Sequence, residues 1–474
     1  MQSSTRSKPI GWRVHTRDQR IILLIGDVFV STIALFGALY FWGSKDAWLK
    51  FSLHFLQQRV DVWFWFLPVI WMVFLVELYN PHRARNLRQT VGGIALAALA
   101  GLLLYALVYL ISEKGSLPRL GIGFFLVFAS ILTLIWRLLF IRISTNQAFL
   151  HRVLIIGAGS AGETLVKVYN KMNPKPFILV GFMDDDPGKV GKILGGVPIL
   201  AGNDRLLENI ESNSISEIVI AITGEMKGST FQNLLEAQQR GMEIIPMPSL
   251  YEELLGRVPI NHLESEWLIR SFVNESRVDG FYELAKRLLD ILLSLVGLFI
   301  CILLTPFTAI LIFLDSGLPI LYSQVRSGMT GKPYNIYKFR TMRTDAEKNG
   351  KVQVTVEHDE RITHVGNILR RSHIDELPQF WNVLVGDMSI VGPRAERPEL
   401  IIEYQKQIPL YRARLLVKPG ITGWAQINYG YTSTTIQTVI KLEYDLYYIK
   451  HRNLLMDITI ILRTLTQVIG FQGR

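Results

Sequence analysis

LLDILLSLVGLFICILLTPFTAILIFL, residues 288–314, decides how the rest of this chain is arranged around a membrane. At about 1.5 Å per residue, one helix of this length crosses a bilayer. If it does cross, everything after it lies on the opposite side from the segment just before it. Pro306 opens a second arrangement, because proline removes a backbone hydrogen bond and bends a helix in mid-membrane. Both ends then return to one face as a re-entrant hairpin, provided the freed backbone groups are satisfied locally, with Thr305 beside the break to do so. A plain spanning helix kinked at the proline is the other reading. The sequence on either side has to choose between them.

Upstream, four apolar runs of about 18 to 22 residues occupy roughly 21–42, 62–79, 91–111 and 120–141. Each is long enough to cross a hydrocarbon core, and four helices in two hairpins is the economical reading. Arg6, Lys8, Arg13, Arg17 and Arg20 precede the first run, and Arg83, Arg85 and Arg88 crowd the loop after the second. Cytoplasmic loops collect such charges, so both ends of the bundle are expected to face the cytoplasm. The first run has membrane-spanning length and no small-residue cleavage pattern closes it, so it reads as a retained anchor. Asp27 and Arg137 lie inside runs, where a charge is either functional or a contact between helices.

The 474 residues leave room for about three domains. The formal charge of +10 suits anionic head groups or phosphorylated substrates as well as it suits nucleic acid, and its sign does not separate them. One cysteine, Cys301, excludes an intramolecular disulfide and a cysteine metal cluster.

From about residue 150 short β-branched runs, VLIIG, FILVGFM, EIVIAI and MEIIPM, alternate with polar helical stretches, which is the pattern of a parallel α/β sheet. Gly157, Gly159 and Gly162 form a GxGxxG turn between the first strand and the next helix. Asp184 follows the second strand, where a ribose-binding acid sits in dinucleotide-binding folds. The glycines also suit a tight turn in a domain that binds no nucleotide, and the residues leave both readings open.

Downstream of 288–314 the stretch SHIDELPQFWNVLVGDMSIVGPRAE, 372–396, begins with adjacent carboxylates, Asp375 and Glu376. Pro378 is tolerated only in the first turn of a helix, so a helix is expected to start near Ser372–Glu376 with Leu377, Phe380, Trp381 and Leu384 on its apolar face. Ser372 and Asp375 also fit a capping box, which involves no chemistry. Around this stretch arginines and lysines cluster in segments framed by Gly and Pro, a composition suited to gripping phosphate bidentately.

KFRTM at 338–342, RRSHIDELPQ at 370–379, GDMSIVGPR at 386–394 and KPGITGWAQIN at 418–428 together resemble the bacterial sugar transferases, the monotopic phosphoglycosyl transferases. The likeness covers about 276–474, and the whole chain is similar to the large form of that family. The resemblance implies a membrane protein of α and α/β class. It would comprise a four-helix transmembrane bundle (1–149), a Rossmann-like domain (150–275) and a mainly α catalytic domain (276–474). In the last, the re-entrant helix would break at Thr305–Pro306. It implies transfer of a hexose 1-phosphate from a UDP-sugar to a polyprenyl phosphate, with UMP released. Asp375 would be the nucleophile and Glu376 a ligand for Mg²⁺, while Arg326, Lys338, Arg340, Arg370 and Arg394 grip phosphate. It implies a catalytic domain on the cytoplasmic face of the bacterial inner membrane, no nucleic-acid partner, and allows a homodimer. Three positions depart from the family pattern: Thr305 stands where serine is usual, Asp315–Pro319 lacks an extra proline and glycine, and Ala395–Glu396 stands where a second proline is common. Two other functions are set against this one. An NAD-dependent sugar-nucleotide modifier would need a Tyr-xxx-Lys pair, and the spacing occurs at Tyr282/Lys286 and Tyr334/Lys338. An inactive membrane scaffold would not need the dyad.

Overall fold

The computed structural model describes residues 16–79, 81–112, 118–144, 150–263, 280–344, 359–408, 410–430 and 434–469. Arg6, Lys8, Arg13 and the 275/276 boundary expected from the sequence lie outside them. The chain forms two compact units, 1–250 and 251–474.

Among the described residues of the first unit three helices are long and apolar enough to cross a membrane: α1 (Thr16–Ser44), α2 (Leu87–Ile111) and α3 (Arg119–Ser144). The run at 62–79 does not form the fourth. It breaks into a 3₁₀ turn (Val62–Phe66), a helix of two turns (Leu67–Phe74) and a second 3₁₀ turn (Val76–Tyr79). Pro68, at the start of the middle piece, has no N–H to carry an α-helix through from the preceding residues. The pieces pack inward instead: Phe64, Trp71 and Leu75 join Ala34 and Ala38 of α1, Ala97 of α2 and Phe125 and Ala129 of α3 in one core. Trp71 Nε1 donates to Thr133 Oγ1 at 3.1 Å, so its polar edge is satisfied inside the bundle. The lipid-facing sides keep exposed apolar residues such as Phe29, Leu102 and Leu139.

The two charges inside the runs meet. Arg137 Nη2 donates to Asp27 Oδ2 at 2.5 Å with both side chains fully buried, and its Nη1 reaches Leu78 O at 2.9 Å. The pair joins α1 and α3 to the end of the broken segment, so these residues serve helix-to-helix contact.

The α/β portion is a sheet of six strands in the order β3-β4-β2-β1-β5-β6. β1 (Arg152–Ile156), β2 (Ile178–Met183), β4 (Val197–Ala201), β5 (Glu217–Ile220) and β6 (Glu243–Pro246) run parallel, and β3 (Ile193–Leu194) is antiparallel at the edge. Helix α4 (Ser160–Lys171) follows the glycine turn as expected.

In the second unit α5 (Gly280–Ser316) is one helix that continues through Pro306 and carries the 288–314 run. The expected break at Thr305–Pro306 is not seen as an interruption of the helix, and Thr305 Oγ1 donates at 2.6 Å to Cys301 O, one residue before Ile302, whose carbonyl is the one that Pro306 leaves without its helical N–H partner. The hairpin β7 (Leu321–Ser327) and β8 (Pro333–Phe339) follows, then α6 (His364–Arg371), α7 (Gln379–Val385) and the short strands β9 (Ser389–Val391) and β10 (Gly420–Thr422). Helices α8 (Thr435–His451) and α9 (Leu454–Ile469) close the unit. Val383, Met388, Val391, Leu446, Ile449 and Ile460 form the centre of its core. Residues 251–263 belong to this unit: Val258 N donates to Glu443 O at 3.1 Å, and Trp424 Nε1 donates to Gly256 O at 2.8 Å.

Candidate active site

The dyad sits on a single 3₁₀ turn, Ile374–Glu376, between two helices. α6 ends at Ser372, His373 takes the left-handed conformation at φ 57°, and the chain reverses into the turn. Asparagine, aspartate and histidine are the side-chain residues that tolerate this region best. The expected helix therefore starts later, at Gln379, with Pro378 as its N-cap. The capping box does not form, because Ser372 Oγ donates backward to Ile368 O and Leu369 O at 2.9 and 3.1 Å and so closes α6. Backbone N–H groups beside the carboxylates are used within the turn: Glu376 N donates to His373 O and Leu377 N to Ile374 O. Of the expected apolar face, Phe380 packs on Gly297 of α5 and Trp381 stays exposed.

Both carboxylates are nearly enclosed, Asp375 at 7% and Glu376 at 9% exposure, but their surroundings differ. Glu376 Oε1 accepts from Lys338 Nζ at 2.7 Å and from Arg394 Nη2 at 2.8 Å. Burial pushes Glu376 up, but the charges and hydrogen bonds of Arg394 and Lys338 outweigh it and hold the carboxyl well below its usual range. Asp375 makes no ion pair among the described residues. Burial, followed by the negative charge of Glu376, pushes its carboxyl up to about 6 against the opposing pull of Lys338, Arg370 and Arg394. Two adjacent carboxylates are thus separated into a permanently charged anchor and a poised, weakly compensated anion.

Lys338, Arg370 and Arg394 come together around the dyad; Arg370 Nε also donates to Thr341 Oγ1 at 2.9 Å. Arg326 stands behind Arg394, its Nη1 donating to Ala395 O at 3.2 Å. Arg340 is placed elsewhere, on the last turn of α5, where its Nη2 donates to Ser316 O and Oγ, both at 2.8 Å, and Gly317 O at 2.6 Å. Arg414, one of the clustered arginines, faces inward and pairs with Asp445 at 2.9 Å.

The sequence reading missed the residues that hold these loops. Asp290 Oδ1 on α5 accepts from Ser389 Oγ at 3.0 Å and Ile390 N at 2.9 Å. Lys286 Nζ donates to Val391 O (3.1 Å), Tyr448 (3.1 Å) and Asp457 (2.9 Å), and Arg287 donates to the carbonyls of Val383 and Leu384 at 2.8 and 2.7 Å. The first turns of the apolar helix therefore fix β9, three residues ahead of Arg394, and the end of α7. The signal was present as a carboxylate inside an apolar run. Lys286 is spent on these bonds, and Lys338, the other Tyr-xxx-Lys lysine, is bound to the dyad.

In the first unit Gly157 has φ 106°, and a Cβ at Gly162 would come within 2.3 Å of Gly157 O, so both positions exclude side chains. A Cβ at Gly159 would meet nothing within 4 Å. Asp184 is engaged by its own surroundings: Oδ2 accepts from Ala158 N at 2.8 Å and Lys189 Nζ at 3.0 Å, and Oδ1 from Asp186 N at 3.0 Å.

No group of three or more His, Cys, Asp or Glu suited to a metal ion occurs among the described residues. A cation at the dyad would thus draw most of its ligands from bound phosphates and water, which is the usual habit of Mg²⁺.

The sequence profile of the bacterial sugar transferases matches residues 281–471, and that of a CoA-binding domain matches 74–236. The chain is 30% identical over 416 residues to a UDP-glucose:undecaprenyl-phosphate glucose-1-phosphate transferase of Xanthomonas campestris pv. campestris, covering 84% of each. It is 32% identical over 320 residues to the protein of that name in Escherichia coli (strain K12), covering 66% of each. It is 40% identical over 224 residues to a UDP-N-acetylgalactosamine-undecaprenyl-phosphate N-acetylgalactosaminephosphotransferase of Aeromonas hydrophila. There the match spans 47% of this chain and about half, 52%, of the relative.

Proposed function

The chain belongs to the bacterial sugar transferase family, and from that premise we propose that it moves a hexose 1-phosphate from a UDP-sugar to undecaprenyl phosphate, releasing UMP, as a membrane step of exopolysaccharide or glycan assembly. The observation that carries the residue assignment is the division of the dyad. Asp375 makes no ion pair among the described residues and is the nucleophile, while Glu376 is fixed between Lys338 and Arg394.

An oxygen of Asp375 attacks the sugar-bearing phosphorus of the UDP-sugar; the O–P bond forms as the diphosphate bridge breaks, and the bridging oxygen leaves on UMP. An oxygen of the acceptor phosphate then attacks the same phosphorus, and Asp375 returns to a free carboxylate as the diphosphate-linked sugar departs. Splitting the transfer in this way keeps two polyanions from having to meet at one phosphorus. Arg394, Arg370 and Lys338 supply positive charge where the phosphoryl oxygens accumulate it, the main protein contribution to such transfers. Mg²⁺, held by Glu376 and substrate oxygens, would neutralise further phosphate charge.

Re-entry of α5 on the cytoplasmic face of the inner membrane completes the proposal. Lys286, Arg287 and Asp290 near one end of α5 bind α7 and β9, while Ser316 and Gly317 at the other end receive Arg340 and Asp315 accepts from Val365 N. α7 and β8 are themselves joined, through Asn382 to Tyr337 N (3.3 Å) and Asn335 O (2.8 Å). Partners of both ends thus belong to one polar unit, which favours both ends lying on one side. Between them, Phe299, Ile302, Leu303, Phe307 and Leu314 are exposed and apolar, suited to lipid.

Purified protein given a UDP-sugar and Mg²⁺ without acceptor is expected to release UMP and to gain a phosphosugar mass on the peptide containing Asp375. Asp375→Asn is expected to lose that gain. Transfer at the normal rate by the variant would remove Asp375 as nucleophile.

A further inference from the structure

Arg340 is 6% exposed. Only its Nη2 is used, on the carbonyls and hydroxyl that end α5. Its Nε and Nη1 are buried and meet no hydrogen-bond partner among the described residues, nor does any carboxylate among them pair with it. A guanidinium keeps its charge under all ordinary conditions, and a buried charge with idle donors is costly to maintain. Of the other cations, Lys338 and Arg394 pair with Glu376 and Arg414 with Asp445, while among the described residues Arg326 leaves only its Nε without a partner where Arg340 leaves two donors.

The location narrows what could fill the gap. Arg340 touches the last turn of an apolar helix whose final residues, Phe313 and Leu314, are exposed, as is Leu318 just beyond. It also follows directly on β8, two residues after Lys338, so the two Cα atoms are at most about 7 Å apart. An anion at Arg340 would therefore sit at the end of the membrane segment, on the stretch of chain that also carries Lys338.

We infer that Arg340 binds the acceptor, its Nε and Nη1 taking the phosphomonoester of the polyprenyl phosphate at the interfacial end of α5, while Lys338 and Arg394 serve the dyad and the donor. This rests on the transferase reading and assigns the second of its two phosphate sites.

The test uses full-length protein in zwitterionic nanodiscs. For Arg340→Gln the KM for undecaprenyl phosphate is expected to rise about tenfold or more, the loss of one or two charge-assisted hydrogen bonds. The KM for the UDP-sugar and the acceptor-free phosphosugar gain on Asp375 are expected to persist, and Arg340→Lys to restore part of the acceptor affinity. An unchanged acceptor KM overturns the inference, and so does loss of the acceptor-free gain in step with turnover, which would put Arg340 in the donor site or the fold. Equal competition by excess phosphatidylglycerol in the wild type also overturns it, as a site for any anionic head group. Absence of UMP release from the wild type even with both substrates present would instead overturn the transferase reading itself.

Discussion

Asp375→Asn is expected to make the second unit more stable at neutral pH while abolishing its chemistry. The folded protein pushes the Asp375 carboxyl from 3.8 up to about 6, through burial first and Glu376 second. A carboxyl whose pKa is raised on folding contributes stability that is complete below its unfolded value and is lost as pH rises through its folded value. At 1.36 kcal/mol per unit, the ionised side chain costs the fold on the order of 3 kcal/mol at pH 7.5 and about half of that at pH 5, where the folded state keeps most of its proton. An asparagine of nearly equal shape removes that cost. Followed by thermal unfolding in detergent with chelator present, the variant should gain up to roughly 6–12 °C at pH 7.5, at about 2–4 °C per kcal/mol. Roughly half that gain should remain at pH 5. A variant no more stable than wild type at pH 7.5, or a gain that does not shrink at pH 5, would refute the claim that Asp375 is a strained, weakly compensated anion.

Lys286→Met removes three hydrogen bonds and leaves Asp457, whose side chain is fully buried, without its cation; kcat is expected to fall about tenfold with little change in donor KM, since β9 loosens behind Arg394. An unaltered kcat in folded variant protein would show that α5 does not position that loop. Arg137→Ala strands Asp27 in the bundle, and a loss of about 3–5 kcal/mol is expected in the unfolding of the first unit. The double change Asp27→Leu with Arg137→Met should recover most of it, and a double variant as unstable as the single would mean that the pair is not what Arg137 supplies.

How far the sequence could be read depended on whether a signal was local. The runs that became α1, α2, α3 and α5 announced themselves because length and apolarity are properties of one segment. The run at 62–79 has the same composition, yet its continuity is decided by Pro68 and by the pocket between α1, α2 and α3 that receives Trp71, and neither enters an apolarity count. Ser372 had two backbone directions available and the local spacing favoured the forward one; as the C-cap of α6 it turned back to Ile368 O and Leu369 O. The dyad was visible as a pair of letters, but what distinguishes its members was not. Lys338 is 38 residues and Arg394 18 residues from Glu376, and only the fold shows that both reach Oε1 while Asp375 keeps no such partner.

Asp290 shows why an anchor and a catalytic scaffold are the same element here. A helix that only held the protein on a bilayer would gain nothing from a carboxylate within its apolar run, and would lose some of its insertion energy. Asp290 is buried against Ser389 and Ile390, with Lys286 one turn before it reaching Val391 O, so the helix fixes the strand that leads into Arg394. At the other end Arg340 ties Ser316 and Gly317 to the strand that carries Lys338. Both cations on Glu376 are therefore referenced to one helix. A reaction joining a water-soluble nucleotide sugar to a phosphate fixed at the interface needs that common reference. A flexible tether would supply proximity without the alignment on which in-line displacement at phosphorus depends.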